Sequence, residues 1–433
     1  MHAGIRDISV TFGARIVVLV LSLAIQSCLA WFLEPAGRGE YAVCLTYTMM
    51  LTVLCAYGVD GAGQYYVASN KSSVSEAVSA LLVLQAVGAC VALAAGLALV
   101  RLPWDFFDKA QDSAFVLAVA AVPWSMWSAS LVLTLGAVRD FPLKAVVSIV
   151  QAFVRLLAVV LLVKVVPWGV NGAVGANLLA AAVATVLTFG VLRFRHDLRW
   201  ITPTRQRLSQ MLSYGGRYYF AAFSTLINVQ VGTIILAFFA PPDEIGLFHA
   251  GLTLIAYVIT ISDVVGSVIL PRMAAVPGGR PELAAQSARI VGLLSAVIVL
   301  GILIFARPIV SLLLSPKFLP AVPLMWVLAP GVIYRAGTKV LVHYMSATNH
   351  PGVFSASTVV GMVTNVVLLM VLLPRIGLIG AAWALTGGYF LGGTVLVWAF
   401  RKQSGLPLTE CWLPRRVDLI FVRNAWRGLR GVR

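Results

Sequence analysis

Three basic side chains recur at every fourth position of one strongly apolar segment, and this spacing could bind an anion. Arg335, Lys339 and His343 lie within residues 322–347. In an α-helix they share one face over about 12 Å. Like charges at that spacing repel, so the face must adjoin water, carboxylates or an anionic ligand. The spacing therefore predicts a cationic surface suited to phosphate or pyrophosphate, although His343 could equally be a packed histidine.

Two further cations fall within apolar segments, and few acids accompany them. Arg155 lies near the middle of residues 142–166, and Arg217 lies near the start of a later apolar segment, where it could instead extend to the interface. Asp60 and Asp263 are the acids placed within apolar runs. We expect a net-positive cavity, with Asp60 or Asp263 carrying a coupling H⁺ or Na⁺. Asp60 could equally cap a helix at the membrane edge.

The apolar segments also contain two polar amides, and the sequence lacks the common enzyme motifs. Asn228 and Gln230 could bond sugar hydroxyls or join neighbouring helices. The five cysteines show no spacing typical of a metal site, and the sequence has neither a P-loop nor a G-x-S-x-G motif. We therefore expect a protein that is not an enzyme and that uses no metal or organic cofactor.

The elements that position these residues are membrane-spanning helices. Of 433 residues, 60% are hydrophobic and 11% charged, and the mean hydropathy is +0.94. Runs of about twenty apolar residues recur, each long enough to cross the hydrocarbon core as a helix. The predicted spans are 12–33, 41–62, 77–100, 113–137, 142–166, 172–192, 214–239, 246–270, 287–306, 322–347, 352–373 and 378–400.

The net charge of +16 reflects basic residues placed between the apolar segments, which indicates an orientation in the membrane rather than nucleic-acid binding. The basic residues concentrate in alternate loops and in both terminal segments. This set contains about three times as many basic residues as the opposite loops. This positive-inside bias places both termini in the cytoplasm.

The two halves of the chain resemble each other, which predicts two lobes. Residues 12–15, 39–42 and 167–173 pair with residues 214–217, 246–249 and 374–381. Six spans per copy give equal orientations and a pseudo-two-fold axis along the membrane normal. We predict an all-α integral membrane protein with six-helix lobes at residues 1–192 and 214–400. Residues 193–213 form a basic cytoplasmic linker, and residues 401–433 form a basic cytoplasmic tail suited to an interfacial helix.

Over residues 5 to 400 the chain resembles a known transporter family. The resemblance rests on the order of twelve spans and on the segments Glu34-Pro35-Ala36-Gly37-Arg38-Gly39-Glu40-Tyr41, Glu244-Ile245-Gly246-Leu247-Phe248 and Pro374-Arg375-Ile376-Gly377-Leu378-Ile379-Gly380-Ala381-Ala382. These resemble the Wzx-like lipid-linked oligosaccharide flippases, the polysaccharide-exporter branch of the multidrug/oligosaccharidyl-lipid/polysaccharide exporter superfamily. Many members carry an Asp-Arg pair in span seven, where this chain has Asn228 and Gln230.

The resemblance implies a V-shaped pair of lobes that moves undecaprenyl-pyrophosphate-linked repeat units across the bacterial inner membrane for lipopolysaccharide or exopolysaccharide biosynthesis. We expect alternating access, with Arg155, Arg335, Lys339 and Arg217 holding the diphosphate. The expected partners are this lipid-linked oligosaccharide, membrane lipids and the polysaccharide polymerase or export machinery. The alternatives are a drug or metabolite antiporter of the same superfamily, favoured by an acidic cavity, and a membrane glycan polymerase or ligase, favoured by a long outer loop.

Overall fold

The structure, a computed structural model, describes residues 2–69, 71–102, 104–263, 265, 281–348 and 350–407. The side chains of a few of these residues, among them Arg217 and Asn228, fall outside the description. The described elements are helical, and no strand occurs in these ranges. The all-α membrane class predicted from the sequence is thus confirmed.

The helices follow the predicted spans closely. They are α1 (His2–Ala56), α2 (Val59–Ala68), α3 (Val74–Val100), α4 (Asp112–Ala137), α5 (Phe141–Val159), α6 (Gly169–Arg195), α7 (Arg205–Phe239), α8 (Pro242–Ala256), α9 (Pro281–Ile304), α10 (Ala306–Leu313), α11 (Val322–Ala347) and α12 (Pro351–Ser404). A π-helical segment, Val160–Val165, extends α5, and short 3₁₀ segments lie at Phe107–Lys109 and Pro316–Ala321.

Local sequence explains where several helices begin. The Ser73 side chain accepts a hydrogen bond from the Glu76 amide at the start of α3 (3.2 Å), and Thr204 caps α7 in the same way through the Arg207 amide (3.3 Å). Such caps satisfy amides that have no partner within the helix. The helix starts therefore lie where the apolar runs meet short polar loops.

Two predicted loops are helix kinks instead. The segment from Glu34 to Tyr41 is helical, and the backbone leaves helical geometry only at Glu34, directly before Pro35. Proline disfavours a helical residue before it but suits the first turn of the helix that follows. The segment after Pro374 likewise breaks only at Ile376 and Gly377. Helix α12 therefore contains two predicted spans, and α1 contains one span and most of the next.

The predicted span 41–62 is interrupted near its C-terminal end. Tyr57 and Gly58 both have positive φ, and α2 begins immediately afterwards. A Cβ at Gly58 would overlap the carbonyl oxygen of Gly215, so this turn requires glycine. The correction to the predicted span follows from a close backbone approach that no local pattern reveals.

Eight segments of the described chain are long and apolar enough to cross a membrane. Two of them, Gly13–Ala56 with 44 residues and Gly352–Ser404 with 53, exceed twice the roughly 20 residues that one crossing needs. The protein is therefore multi-pass. The total of twelve spans and the pseudo-two-fold arrangement of the lobes stay predictions.

The chain divides into two compact units. The first unit comprises residues 1–250 and 310–319, and the second comprises residues 251–309 and 320–433. A core of the first includes Val78, Leu131 and Leu192, and a core of the second includes Leu341 and Phe400. The predicted lobe boundaries stay predictions, and the predicted tail helix lies almost wholly outside the described residues.

The predicted linker packs against the first unit over much of its length. Arg207 forms an ion pair with Glu76 (2.9 Å), and the Ile201 amide donates to the Ser79 hydroxyl (3.2 Å). The Leu198 side chain is buried in the same core as Val78. Residues 193–213 are thus anchored to the N-terminal end of α3, and their cytoplasmic location stays a prediction.

Candidate functional site

Arg155 lies in the C-terminal part of α5 and binds a tyrosine hydroxyl. One guanidinium N–H donates to the Tyr41 Oη (2.6 Å), and the Asn177 side-chain amide donates to the same oxygen (2.6 Å). Tyr41 is buried, whereas Arg155 and Asn177 are half-buried. The buried Arg155 Nε has no partner among the described residues. Helices α1, α5 and α6 therefore bring together three polar groups inside the membrane-spanning part of the first unit.

The apolar face of α5 points away from this cluster. Phe153 and Leu157 are exposed, and each lies two residues from Arg155. A step of two residues along an α-helix turns the side-chain direction by about 200°. Arg155 therefore lies on the side of α5 opposite to Phe153 and Leu157. The lipid-facing side chains and the arginine are thus separated, as expected for an intramembrane cation with a functional role.

The predicted cationic face of α11 has a distinct partner at each position. The Arg335 guanidinium lies over the Tyr389 ring, 5.0 Å from its centroid. Lys339 Nζ forms an ion pair with Asp263 Oδ2 (2.7 Å). His343, one turn further along, lies close enough to Lys339 and Asp263 to interact electrostatically with both.

The ion pair changes the expected charge balance in the second unit. The sequence suggested that Lys339 binds the anion and that Asp263 couples an ion, with too few acids for the cations. The structure instead joins Lys339 and Asp263 directly, with side-chain exposures of 29% and 42%. Arg335 has no carboxylate partner in the described chain and contacts an aromatic ring, which leaves its charge unneutralised.

Of the two candidate amides in α7, Asn228 and Gln230, the structure describes the contacts of Gln230. The Thr46 hydroxyl donates to Gln230 Oε1 (3.2 Å), and the Gln230 amide lies 2.9 Å from the Met49 sulfur. Gln230 therefore joins α7 to α1, which was the alternative to sugar binding. The side chains of Arg217 and Asn228 lie outside the described residues.

Asp60 occupies the first turn of α2, and its carboxylate interacts with the Gly61 amide. A carboxylate at this position is stabilised by the unpaired amides and the positive end of the helix dipole. This position matches the local role considered from the sequence, although Gly58 is the N-cap residue and no side-chain cap hydrogen bond occurs there. The coupling role of Asp60 stays a prediction.

Sequence reasoning missed one deeply buried cation. Arg38, which lies between the predicted spans 12–33 and 41–62, is 1% exposed. Its guanidinium donates to the Gln26 carbonyl (3.1 Å) and to Gln26 Oε1 (2.7 Å). The kink at Glu34 turns Arg38 inward, and the predicted loop hid this because loops are normally exposed.

The candidate residues divide between the two units. Arg155, Asp60 and Gln230 belong to the first, and Arg335, Lys339, His343 and Asp263 to the second. The cavity shared by both sets stays a prediction. The described chain contains no group of three or more His, Cys, Asp or Glu residues placed to bind a metal ion.

Curated relatives of this chain include an uncharacterised membrane protein and a probable flippase. A probable low-salt glycan biosynthesis flippase of Haloferax volcanii is 22% identical over 51% of the chain and 47% of its own length. An uncharacterised membrane protein of Methanocaldococcus jannaschii is 23% identical over 46% of the chain and 40% of its own length. The chain thus spans about half the length of the curated relatives it matches.

Solved structures show the same fold at low identity. The lipid II flippase MurJ in an inward closed conformation has a TM-score of 0.73 at 13% identity, covering 94% of this chain and 89% of its own. A multidrug resistance transporter of the MATE family in an inward-facing conformation has a TM-score of 0.67 at 15% identity, covering 90% and 98%.

The resemblance inferred from the sequence is confirmed by a family match. The family model described as polysaccharide biosynthesis protein matches residues 28–323. This range is more than half of the chain and extends from within α1 to the start of α11. The chain belongs to the polysaccharide biosynthesis protein family.

Proposed function

We propose that the protein is a flippase that moves polyprenyl-pyrophosphate-linked oligosaccharides across the cytoplasmic membrane. The observation that carries this proposal is a pair of intramembrane arginines without carboxylate partners in the described chain. Arg155 binds a tyrosine hydroxyl, and Arg335 lies over a tyrosine ring. Membership of the polysaccharide biosynthesis family and the flippase among the relatives support the same function.

The two arginines suit a diphosphate because of their charge and shape. A guanidinium offers up to five N–H donors in a fixed plane and stays protonated inside the membrane. A carboxylate partner would neutralise that charge, whereas a hydroxyl or an aromatic ring orients the group and leaves it positive. We propose that Arg155 and Arg335 hold the diphosphate during alternating access, while the prenyl chain stays in lipid. Arg217 is a further candidate for this role.

The Lys339–Asp263 pair offers a way to couple transport to an ion gradient. Protonation of Asp263 would remove its charge and release Lys339 towards the substrate anion. Na⁺ binding at Asp263 would likewise compensate the carboxylate charge and release Lys339. His343 lies close enough to interact electrostatically with both groups. Asp60 is the second candidate for ion coupling. No organic cofactor or enzymatic step enters this mechanism.

We place the protein in the bacterial inner membrane with both termini in the cytoplasm, as the distribution of basic loops favours. There it would receive the lipid-linked oligosaccharide from the glycosyltransferases that build it. It would deliver the substrate to the polymerase or export machinery on the opposite side.

Reconstitution tests the proposal directly. Proteoliposomes containing the full chain and undecaprenyl-pyrophosphate-linked oligosaccharides should show protein-dependent translocation. Arg335→Ala should lower the rate by about tenfold or more, because a hydrogen bond to a charged group is lost. Arg375→Ala removes an exposed arginine and should leave the rate unchanged. Absence of translocation by the wild-type protein would reject the flippase function, and an unaffected Arg335→Ala variant would reject the role of that arginine.

A further inference from the structure

Tyr41 is the centre of the polar cluster in the first unit. Its Oη accepts hydrogen bonds from Arg155 and from Asn177, both at 2.6 Å. A phenolic oxygen that accepts two hydrogen bonds still carries its own O–H, which must point in another direction. No residue in the described part of the chain accepts that proton. The Tyr41 hydroxyl therefore has an unused donor in a buried position.

The other members of the cluster also have donors to spare. Arg155 uses one N–H on Tyr41, and its buried Nε has no partner among the described residues. The Asn177 amide has a second N–H besides the one bound to Tyr41. Among the described side chains no carboxylate pairs with Arg155, although Glu40 precedes Tyr41 in sequence. Three neighbouring groups thus offer donors, and one of them is cationic.

A cluster of buried donors needs an acceptor, because an unpaired buried polar group is costly. Arg155 is the fifteenth residue of the 25-residue segment Phe141–Val165, so the cluster lies near the middle of a span. Hydrocarbon chains provide no acceptor at this depth. The acceptor must therefore be water or a polar group that enters the protein.

We infer that Tyr41, Asn177 and Arg155 form a subsite for an anionic phosphoryl oxygen of a lipid, with Tyr41 and Asn177 as substrate-positioning residues. This inference rests on the proposed function, since it assigns the diphosphate of the lipid carrier as the ligand. A phospholipid headgroup presents the same oxygen and is the other source of this chemistry. Tyr41 donates its O–H to the oxygen, and Asn177 holds the phenol in the required orientation.

The chain offers a closely matched control for Tyr41. Tyr47 lies on the same helix, is equally buried, and donates its O–H to the Gly96 carbonyl (2.7 Å). Tyr47→Phe removes a satisfied buried hydroxyl, whereas Tyr41→Phe removes the unused donor. Both variants keep the aromatic ring, so a difference in lipid binding reports the hydroxyl itself.

Binding of undecaprenyl pyrophosphate, undecaprenol and phosphatidylglycerol to the purified full-length protein can be titrated by native mass spectrometry. Tyr41→Phe and Asn177→Leu should each weaken undecaprenyl pyrophosphate binding about tenfold and leave undecaprenol binding unchanged. Asn177→Asp should cause a larger loss, because its carboxylate would neutralise Arg155. Tyr47→Phe should bind all three lipids as the wild type does.

Each outcome decides the inference separately from the flippase proposal. Wild-type affinity of Tyr41→Phe for undecaprenyl pyrophosphate would overturn the subsite, even if the protein translocates glycans. A selective loss in Tyr41→Phe would support the subsite, even if translocation were absent. Equal, Tyr41-dependent binding of phosphatidylglycerol would support the phosphoryl chemistry and assign a phospholipid headgroup as its source.

Discussion

Gly39 of α1 and Gly246 of α8 contact each other's helices reciprocally. A Cβ at Gly39 would overlap the carbonyl oxygen of Pro242, and a Cβ at Gly246 would overlap that of Pro35. In both helices the proline precedes the glycine by four residues, and both pairs are separated by 207 positions. The internal repeat inferred from the sequence therefore includes two segments that cross at equivalent points of the first unit.

We expect Gly39→Ala to destabilise the protein strongly. The new methyl group meets a backbone oxygen that cannot rotate away, so α1 and α8 must separate, at a cost of about 2–3 kcal/mol. Thermal unfolding of the detergent-purified protein should show a clearly lower Tm. Gly190→Ala is the control, because a Cβ there has no neighbour within 4 Å. Equal Tm values for the two variants would contradict the close crossing.

A second prediction concerns the buried Arg38. Arg38→Lys keeps the charge, but a single ammonium cannot reach the Gln26 carbonyl and amide oxygens with the geometry of the planar guanidinium. We expect a loss of stability of about 1.5–3 kcal/mol, measured as a lower Tm. Arg375→Lys changes an exposed arginine and should leave Tm unaltered. A wild-type Tm for Arg38→Lys would show that the forked contact contributes nothing.

The predicted orientation can be tested on two exposed loop residues. In a cysteine-free background, Arg199→Cys should react with a membrane-impermeant maleimide only in inside-out vesicles, because the loop before α7 is predicted to be cytoplasmic. Arg199 lies near the start of α3, and Arg101 follows the end of the same helix. Arg101→Cys should therefore react only from the outside. Both positions are exposed in the structure. The reverse labelling pattern would overturn the orientation.

The sequence predicts what depends on composition and misses what depends on distant contacts. Long apolar runs locate the spans, since about twenty apolar residues suffice for a crossing. The break at Gly58 depends on a close backbone approach to α7, and Gly39 of α1 lies against the backbone of α8 in the same way. The apolar pattern also gives no sign that Lys339 pairs with Asp263, 76 residues away.

The Tyr41 cluster shows the same limit within the candidate site. Arg155 is visible in the sequence because a charge in a span is unusual. Tyr41 and Asn177 are ordinary residues for membrane helices, and only their convergence on Arg155 distinguishes them. The cation of a site can thus be found from the sequence, whereas its neutral partners need the structure.

The Lys339–Asp263 pair predicts different effects on stability and on coupling. Each side chain is partly exposed, so Lys339→Met or Asp263→Asn should cost only about 1 kcal/mol. The double variant should recover most of that loss. If Asp263 carries the coupling ion, Asp263→Asn should still translocate substrate without stimulation by an imposed ion gradient. Gradient stimulation equal to that of the wild type would exclude Asp263 as the carrier.

The last prediction concerns residues 310–319, which pack with the first unit although the chain on both sides belongs to the second. The Ser27 hydroxyl donates to the Leu313 carbonyl (2.6 Å), Trp31 Nε1 donates to the Leu312 carbonyl (3.2 Å), and Lys317 forms an ion pair with Glu34. Residues 310–319 are therefore bound to α1, and we expect these contacts to break when the substrate is released outward.

A reversible cross-link tests whether this segment moves. The ion pair is exposed and contributes little energy by itself, so Glu34→Ala should affect transport only slightly. In contrast, Glu34→Cys/Lys317→Cys joined by a short disulfide-containing bismaleimide should stop translocation, because the segment can no longer leave α1. Reduction should restore transport, and either single-cysteine variant should be unaffected by the reagent. Full transport by completely cross-linked protein would show that residues 310–319 stay bound to α1 throughout the cycle.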